Sequence, residues 1–186
     1  MPHLTVPISG QDVFAESSTA LLALGTMGHT KDGRIFRYVL AGATALVVGN
    51  ALQSRVEDTD HDDVAVRITA KGATALLITT GSGGGALDAN EYAEGYAVID
   101  TTPDLGYVYR ISDHAAIAAS TDGALNLYGE DAIQVALTAS SKVTLVASPY
   151  SKVIQHPVTT ASGVCVGGAV YPVTAAYYGW IQSGGP

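Results

Sequence analysis

Charge is scarce in this chain. Only 14% of its 186 residues are Asp, Glu, Lys or Arg, against about 25% in an average globular protein. So few charges imply that more surface is covered than one monomer can cover. Basic residues are scarcest, nine against 17 acidic ones, for a formal net charge of −8. They are scattered and never form a run of Lys or Arg. Phosphate backbones are held by a basic face, so a nucleic-acid partner is not expected. Cysteine is limited to Cys165, which rules out an internal disulfide. Cys165 lies in an apolar, strand-like run and reads as a small buried hydrophobe. No apolar run approaches the ~20 residues of a membrane helix, so no membrane partner is expected. The opening MPHLTVPISG lacks the basic and apolar regions of a signal peptide. A soluble chain made in a cytosol is the expectation.

What is present is glycine, 21 residues of it, with Val, Ile, Thr and Tyr throughout and no long Leu/Glu/Lys helical pattern. These features predict an all-β protein. The stretch from Lys31 to Gln53 organises the reading. Lys31-Asp32-Gly33 is a tight-turn signal, because glycine supplies positive φ without steric cost. Thr26–Thr30 and Arg34–Leu40 flank it as a hairpin. Ile35, Arg37 and Val39 point one way; Arg34, Phe36, Tyr38 and Leu40 point the other. Thr44–Val48, ended by Gly49-Asn50, reads as another short strand. No residue from Tyr38 to Ser54 is charged, which places this unit centrally in a β core.

Before the hairpin, Pro2 and Pro7 forbid an early helix, and residues 1–24 read as an extended N-terminal arm. Ser17–Leu24 offers one or two helical turns as the alternative. After the hairpin come strand-like runs at Val64–Thr69, Thr74–Thr80, Gly95–Thr101, Gly106–Ser112, Ala124–Tyr128, Ile133–Thr138 and Lys142–Ala147. Asp88–Glu94 and His114–Ser120 have room for single helical turns. The fold expected is an antiparallel sandwich or barrel of about ten short strands, one β domain over 25–186. Gly42-Ala43-Thr44-Ala45-Leu46 recurs as Gly72-Ala73-Thr74-Ala75-Leu76, a pattern shared equally by a duplicated β unit and by common turn chemistry. From Val153 to Pro186 there is no charged residue, yet Tyr171, Tyr177, Tyr178 and Trp180 all lie there. Interface cores lose charge and gain Tyr and Trp, so this end is expected to build a subunit interface. Its candidate contact residues are Tyr171, Tyr177, Tyr178, Trp180 and Ile181, with Trp180, Tyr177 and Tyr178 as the expected anchors.

Catalytic spacing is missing. Gly81-Ser82-Gly83-Gly84-Gly85-Ala86 fits G-x-G-x-x-A, with Asp100 downstream, but Gly95 ends the segment before a phosphate-binding helix has room. It reads as a flexible loop. Asp58, Asp60 and Asp62 imitate the start of a calcium loop. Asp63 then stands where glycine is needed and Thr69 where glutamate is needed. Glu57–Asp63 therefore reads as a solvated acidic loop. His3, His29, His61, His114 and His156 show no metal-ligand spacing. No serine sits in a nucleophile elbow, and Asp113-His114 lacks a defined third partner. No enzyme activity, cofactor or metal is expected.

Several segments resemble a family: LGT (Leu24 to Thr26), DGRIFRYVLAG (Asp32 to Gly42), NEYAEGYAVID (Asn90 to Asp100), GYVYRI (Gly106 to Ile111), SPY (Ser148 to Tyr150) and YYGWIQSGGP (Tyr177 to Pro186). In this order they resemble the small virion structural proteins of tailed bacteriophages. The resemblance runs through most of the chain and consists of turns and aromatic strand ends. It implies a β-rich capsid decoration, or cement, protein, assembled in the host cytoplasm and located in the virion. Its implied partners are copies of itself, as a homo-oligomer and most simply a trimer, and the major capsid protein or other virion subunits. Within the structural class the rival is a tail-tube or fibre subunit. Outside it, the rival is a carbohydrate-binding β module whose Tyr and Trp stack on sugars.

Overall fold

The computed structural model describes residues 5–83 and 85–186. His3 and Gly84 lie outside them. Thirteen strands occur among the described residues. In chain order they are β1 (Thr5–Pro7), β2 (Met27–His29), β3 (Ile35–Leu40), β4 (Ala51–Gln53), β5 (Val64–Val66), β6 (Ala75–Thr79) and β7 (Tyr96–Ile99). There follow β8 (Val108–Asp113), β9 (Asp122–Leu127), β10 (Lys142–Val146), β11 (Ile154–Gln155), β12 (Cys165–Gly168) and β13 (Tyr178–Gly184). Helical structure among the described residues is limited to 3-10 turns at Asp12–Phe14, Thr59–His61 and Gly129–Asp131. No helix is long and apolar enough to cross a membrane. The all-β expectation holds, with thirteen strands rather than ten. They fall in two compact units, one made by the chain up to Val56 and from Ser148 on, the other by Glu57–Ala147. Both boundaries fall inside the stretch 25–186 that reads as one domain in the sequence.

The Glu57–Ala147 unit is a closed antiparallel barrel in the order β10-β5-β6-β9-β8-β7, with β7 returning to β10. Side chains alternate as a pleated strand requires. Val143 and Leu145 of β10 point inward, as do Leu76 and Ile78 of β6 and Ile99 of β7, all at most 1% exposed. Burying each such side chain is worth about 1.5–3 kcal/mol. Closure leaves no unpaired strand edge.

The other unit is an open sheet in the order β1-β2-β3-β13-β12-β4-β11. Its longest ladder pairs β3 with β13, from Tyr178 opposite Leu40 to Gln182 opposite Phe36. The Lys31-Asp32-Gly33 turn joins β2 to β3 as expected, with Gly33 at φ +88°. Both faces of this sheet are covered, which explains why β3 and its surroundings carry so little charge. One face packs Val39, Leu52, Val153, Val166, Val173 and Ile181 together. The other packs Phe36, Tyr38 and Trp180 against Val13, with Val6, Ile8 and Leu22 alongside. Within residues 5–24, Thr5–Pro7 forms β1, parallel to β2, and Val13, in the 3-10 turn Asp12–Phe14, is 1% exposed, so this stretch is built into the unit. Ser17–Leu24 contains no helical turn; Ser17 bridges Tyr178.

One local device recurs six times. A buried residue makes an isolated bridge, a turn follows, and in five of the six cases a strand starts at the fifth or sixth residue on. The bridge residues are Leu46, Thr69, Leu87, Ile117, Leu137 and Val173, each at most 5% exposed. They pair with each other: Leu46 with Val173, Thr69 with Leu137, Leu87 with Ile117. Three residues after the bridge, Gly49, Gly72, Asn90, Ser120 and Ala176 all take positive φ, as the third residue of a type II turn requires. This device corrects several expectations. Thr44–Val48 and Ile133–Thr138 are bridge segments rather than strands, because their apolar runs mark one buried side chain before a turn. His114–Ser120 and Asp88–Glu94 are turns of the same kind and not helical. The repeated pentapeptide is not a duplicated unit. Gly42-to-Leu46 ends on a bridge, whereas Gly72 opens with φ +85° and leads into β6. Cys165 is exposed, not buried; its neighbour Val166 takes the inward position on β12.

Candidate functional site

The charge-free end does converge with aromatic residues, inside the open-sheet unit. Tyr38 on β3 stands opposite Trp180 on β13. Their rings meet edge to face at 5.3 Å and 66°, while Tyr38 and Tyr178 stack at 5.9 Å and 12°. Both are favoured aromatic arrangements. The arm runs beside them, because Ser17 exchanges backbone hydrogen bonds with Tyr178 at 3.0 and 2.8 Å. Between arm and rings lies a cavity of about 200 Å³, lined by Asp12, Ala15, Glu16, Ser17, Leu21, Tyr38, Tyr178 and Trp180. The Leu21 N–H donates to the Tyr38 hydroxyl at 3.2 Å. Burial raises the Tyr38 phenol above its ordinary range, so it stays neutral at physiological pH.

Two carboxylates flank the cavity. Asp12 accepts the Ser9 N–H at 2.7 Å, and the Ser9 hydroxyl in turn accepts the Asp12 N–H at 3.2 Å. Glu16 reaches Thr174 with both oxygens, accepting from its N–H at 2.7 Å and its hydroxyl at 2.8 Å. These bonds fix both acids in place. Tyr38, Leu21, Asp12 and Glu16 were not legible as a group, since they meet only through long-range pairing, as between Glu16 and Thr174, 158 residues apart in sequence.

The five residues expected at an interface are placed as follows. Ile181 is fully buried and Trp180 is 7% exposed, both in the core of this unit. Their first role is therefore to hold the fold. Tyr177 is half-buried against the Val39–Ile181 face and Tyr178 half-buried beside Tyr38. Tyr171 is half-buried and meets Phe14 edge to face at 5.9 Å. Surface apolar side chains lie elsewhere in the charge-free end: Val158 is fully exposed and Val164 70% exposed. Arg34 is paired with Asp32 at 2.8 Å, and Arg37 donates to the Gly25 carbonyl at 2.8 Å.

In the barrel, the acidic loop is exposed except for His61, which is 1% exposed. His61 Nδ1 lies 2.6 Å from the Tyr92 hydroxyl. Tyr92 donates its backbone N–H to His114 Nε2 at 3.1 Å. His114 therefore carries its proton on Nδ1, which faces the Ala115 carbonyl at 2.9 Å. All three side chains are buried, so this network positions a loop rather than meeting solutes. Asp113 is engaged by Asn126 and Ser112, which hold its carboxyl below the usual carboxylate range. It forms no relay with His114. Burial, with Asp63 alongside, raises the Asp100 carboxyl above that range, although the Thr144 hydroxyl donates to it at 3.0 Å. Among the described residues no group of three or more His, Cys, Asp or Glu is arranged to hold a metal ion. The glycine loop, of which Gly84 lies outside the described residues, is followed by the Leu87 bridge and a turn.

No protein-family model, curated protein or solved structure matches this chain.

Proposed function

We propose that this chain is a virion structural protein of a tailed bacteriophage, a capsid decoration subunit that self-associates and attaches to the head surface. The resemblance of its turn and strand-end segments to that family carries the assignment. The observation that supports self-association is the exposure of apolar side chains in a stretch without charge. Val158 and Val164 protrude from the charge-free end, and surfaces of that kind mark contact sites. On the barrel, Ile68 is 75% and Leu77 41% exposed beside an open cavity of about 440 Å³. Copies of the chain meet through Val158 and Val164, with Tyr171 and Tyr177 of the same charge-free end as further contact residues. The trimer follows from the family resemblance. The carbohydrate-binding alternative loses weight because Trp180 and Tyr38 are almost fully buried, whereas a stacking platform for sugars presents its ring faces.

Antibody labelling of native phage particles, viewed by electron microscopy, tests the assignment. Label on the head surface is the expected result. Label confined to the tail would move the chain to the tail or fibre alternative, and unlabelled particles would refute the virion reading.

A further inference from the structure

We infer that a groove on the outer face of the barrel receives the β11–β12 connection, residues 156–164, of a second copy of this chain, with Val158 as the inserted side chain. This deepens the self-association reading and rests on it. The groove follows from the sequence. Thr69 bridges Leu137 and is buried, so Ile68 beside it faces outward. On β6, Leu76 and Ile78 point inward, which turns Leu77 outward between them. The residue opposite Leu77 on β9 is Ala124, too small to cover it. Ile68, Leu77, Gly123 and Ala124 thus line the hollow of about 440 Å³, with Arg67 and Asp122 beside them.

Charge decides the occupant. Each copy carries a net charge of −8, so two copies repel over long range and meet where their charge is neutralised or missing. In the groove, Arg67 and Asp122 form an ion pair, and the Thr79 hydroxyl donates to Asp122 at 2.6 Å. Residues 156–164 carry no Asp, Glu, Lys or Arg, and Val158 and Val164 protrude from them. A charge-free apolar knob therefore matches a neutralised apolar hollow. The barrel's own exposed apolar tip, Leu105, Tyr107 and Val108, is flanked by Asp100, Asp104 and Arg110 and matches it less well. A small ligand also fits less well, because such sites orient their ligand with placed polar groups, and here the two charges answer each other. Symmetry agrees. Knob and groove are different patches, so their contact is heterologous and can close into a ring of three, whereas a knob-on-knob contact is isologous and gives dimers.

Analytical ultracentrifugation of the intact chain tests this. Ile68→Asp and Ile68→Lys are both expected to raise the half-dissociation concentration at least about tenfold, with β-sheet circular dichroism unchanged. The two signs matter, since lysine lowers the repulsion between copies that aspartate raises. Tyr107→Asp is expected to leave the assembly unchanged. The decisive sample is a mixture. The Ile68→Asp chain keeps its knob, and the Val158→Asp, Val164→Asp chain keeps its groove. Each alone is expected to sediment as a 19.0 kDa monomer, and the equimolar mixture is expected to contain the heterodimer. The inference is overturned if the mixture stays monomeric, if either folded Ile68 variant associates as the original chain does, or if Tyr107→Asp dissociates the assembly. An original chain that is monomeric at every concentration refutes self-association and the groove together. A chain whose association is lost in the Val158→Asp, Val164→Asp variant and kept in both Ile68 variants refutes the groove alone.

Discussion

The barrel and the open sheet are built with the same turn device and finished differently. In the barrel every strand has two neighbours, because β7 returns to β10. In the open sheet β1 and β11 each have one. The barrel fills its interior with aliphatic side chains, Leu76, Ile78, Ile111 and Leu125 among them, plus buried Tyr92 and Tyr109. The open sheet covers one face with an arm and closes it with stacked rings, leaving a cavity where arm and rings meet. Closure makes a unit self-sufficient; an open sheet sealed by an arm depends on a few large side chains and keeps surface for others to use.

The largest expected effect tests that dependence. Trp180→Ala should cost about 3–5 kcal/mol, the range for truncating a buried aromatic. Amide hydrogen exchange should show β3 and β13 losing protection while β6 and β9 keep theirs. Equal loss in both units would contradict the comparison. Next is an overpacking test in the barrel. A Cβ on Gly123 would stand 2.3 Å from Ile117 Cδ1 and 2.5 Å from its Cγ1. Gly123→Ala should therefore cost about 1–3 kcal/mol, measured by urea denaturation, with the loss of protection confined to the barrel.

A smaller pair of changes compares one turn position across the two units. Gly72 in the barrel and Ala176 in the open sheet both hold positive φ, +85° and +59°. Left-handed backbone costs a residue with a Cβ about 1–2 kcal/mol. Gly72→Ala meets no atom within 4 Å, so its destabilisation, about 1 kcal/mol, is conformational alone. Ala176→Gly should stabilise by a similar or smaller amount, because glycine also gains freedom in the unfolded chain. Opposite signs in thermal melts are the expected outcome.

The smallest effect is pH-dependent and belongs to the barrel. The Asp100 carboxyl is raised in the folded state by burial and by Asp63. A raised pKa favours the folded state below the unfolded carboxylate value, about 3.9, and that contribution is lost as pH rises through the folded value. Asp100→Asn should thus raise the melting temperature at pH 7. The gain should shrink as the pH falls toward 4 and vanish below it.

The comparison also explains what could be read in advance. The β2–β3 hairpin was legible because Gly33 is a glycine needed for its φ, and the barrel strands because their side chains alternate between turn residues. Thr44–Val48 and Ile133–Thr138 misled because an apolar run reports burial and not ladder length. The pentapeptide misled because its glycines are needed for different reasons. A Cβ on Gly42 would stand 3.1 Å from the Lys152 carbonyl oxygen, whereas Gly72 is needed for its φ. Cys165 was misplaced because an apolar neighbourhood does not say which way one side chain of β12 points. The cavity was half legible: Tyr178 and Trp180 stood out, but Tyr38, Asp12 and Glu16 join them only through long-range pairing of β3, β13 and the arm.

Self-association of an otherwise stable subunit is the centre of the account, and light scattering coupled to size-exclusion chromatography measures it directly. The expected result is a single species with the mass of a trimer of the 19.0 kDa chain, which dissociates when Val158 and Val164 are both replaced by Asp while β-sheet circular dichroism stays unchanged. A monomer of 19.0 kDa at every concentration tested would contradict it.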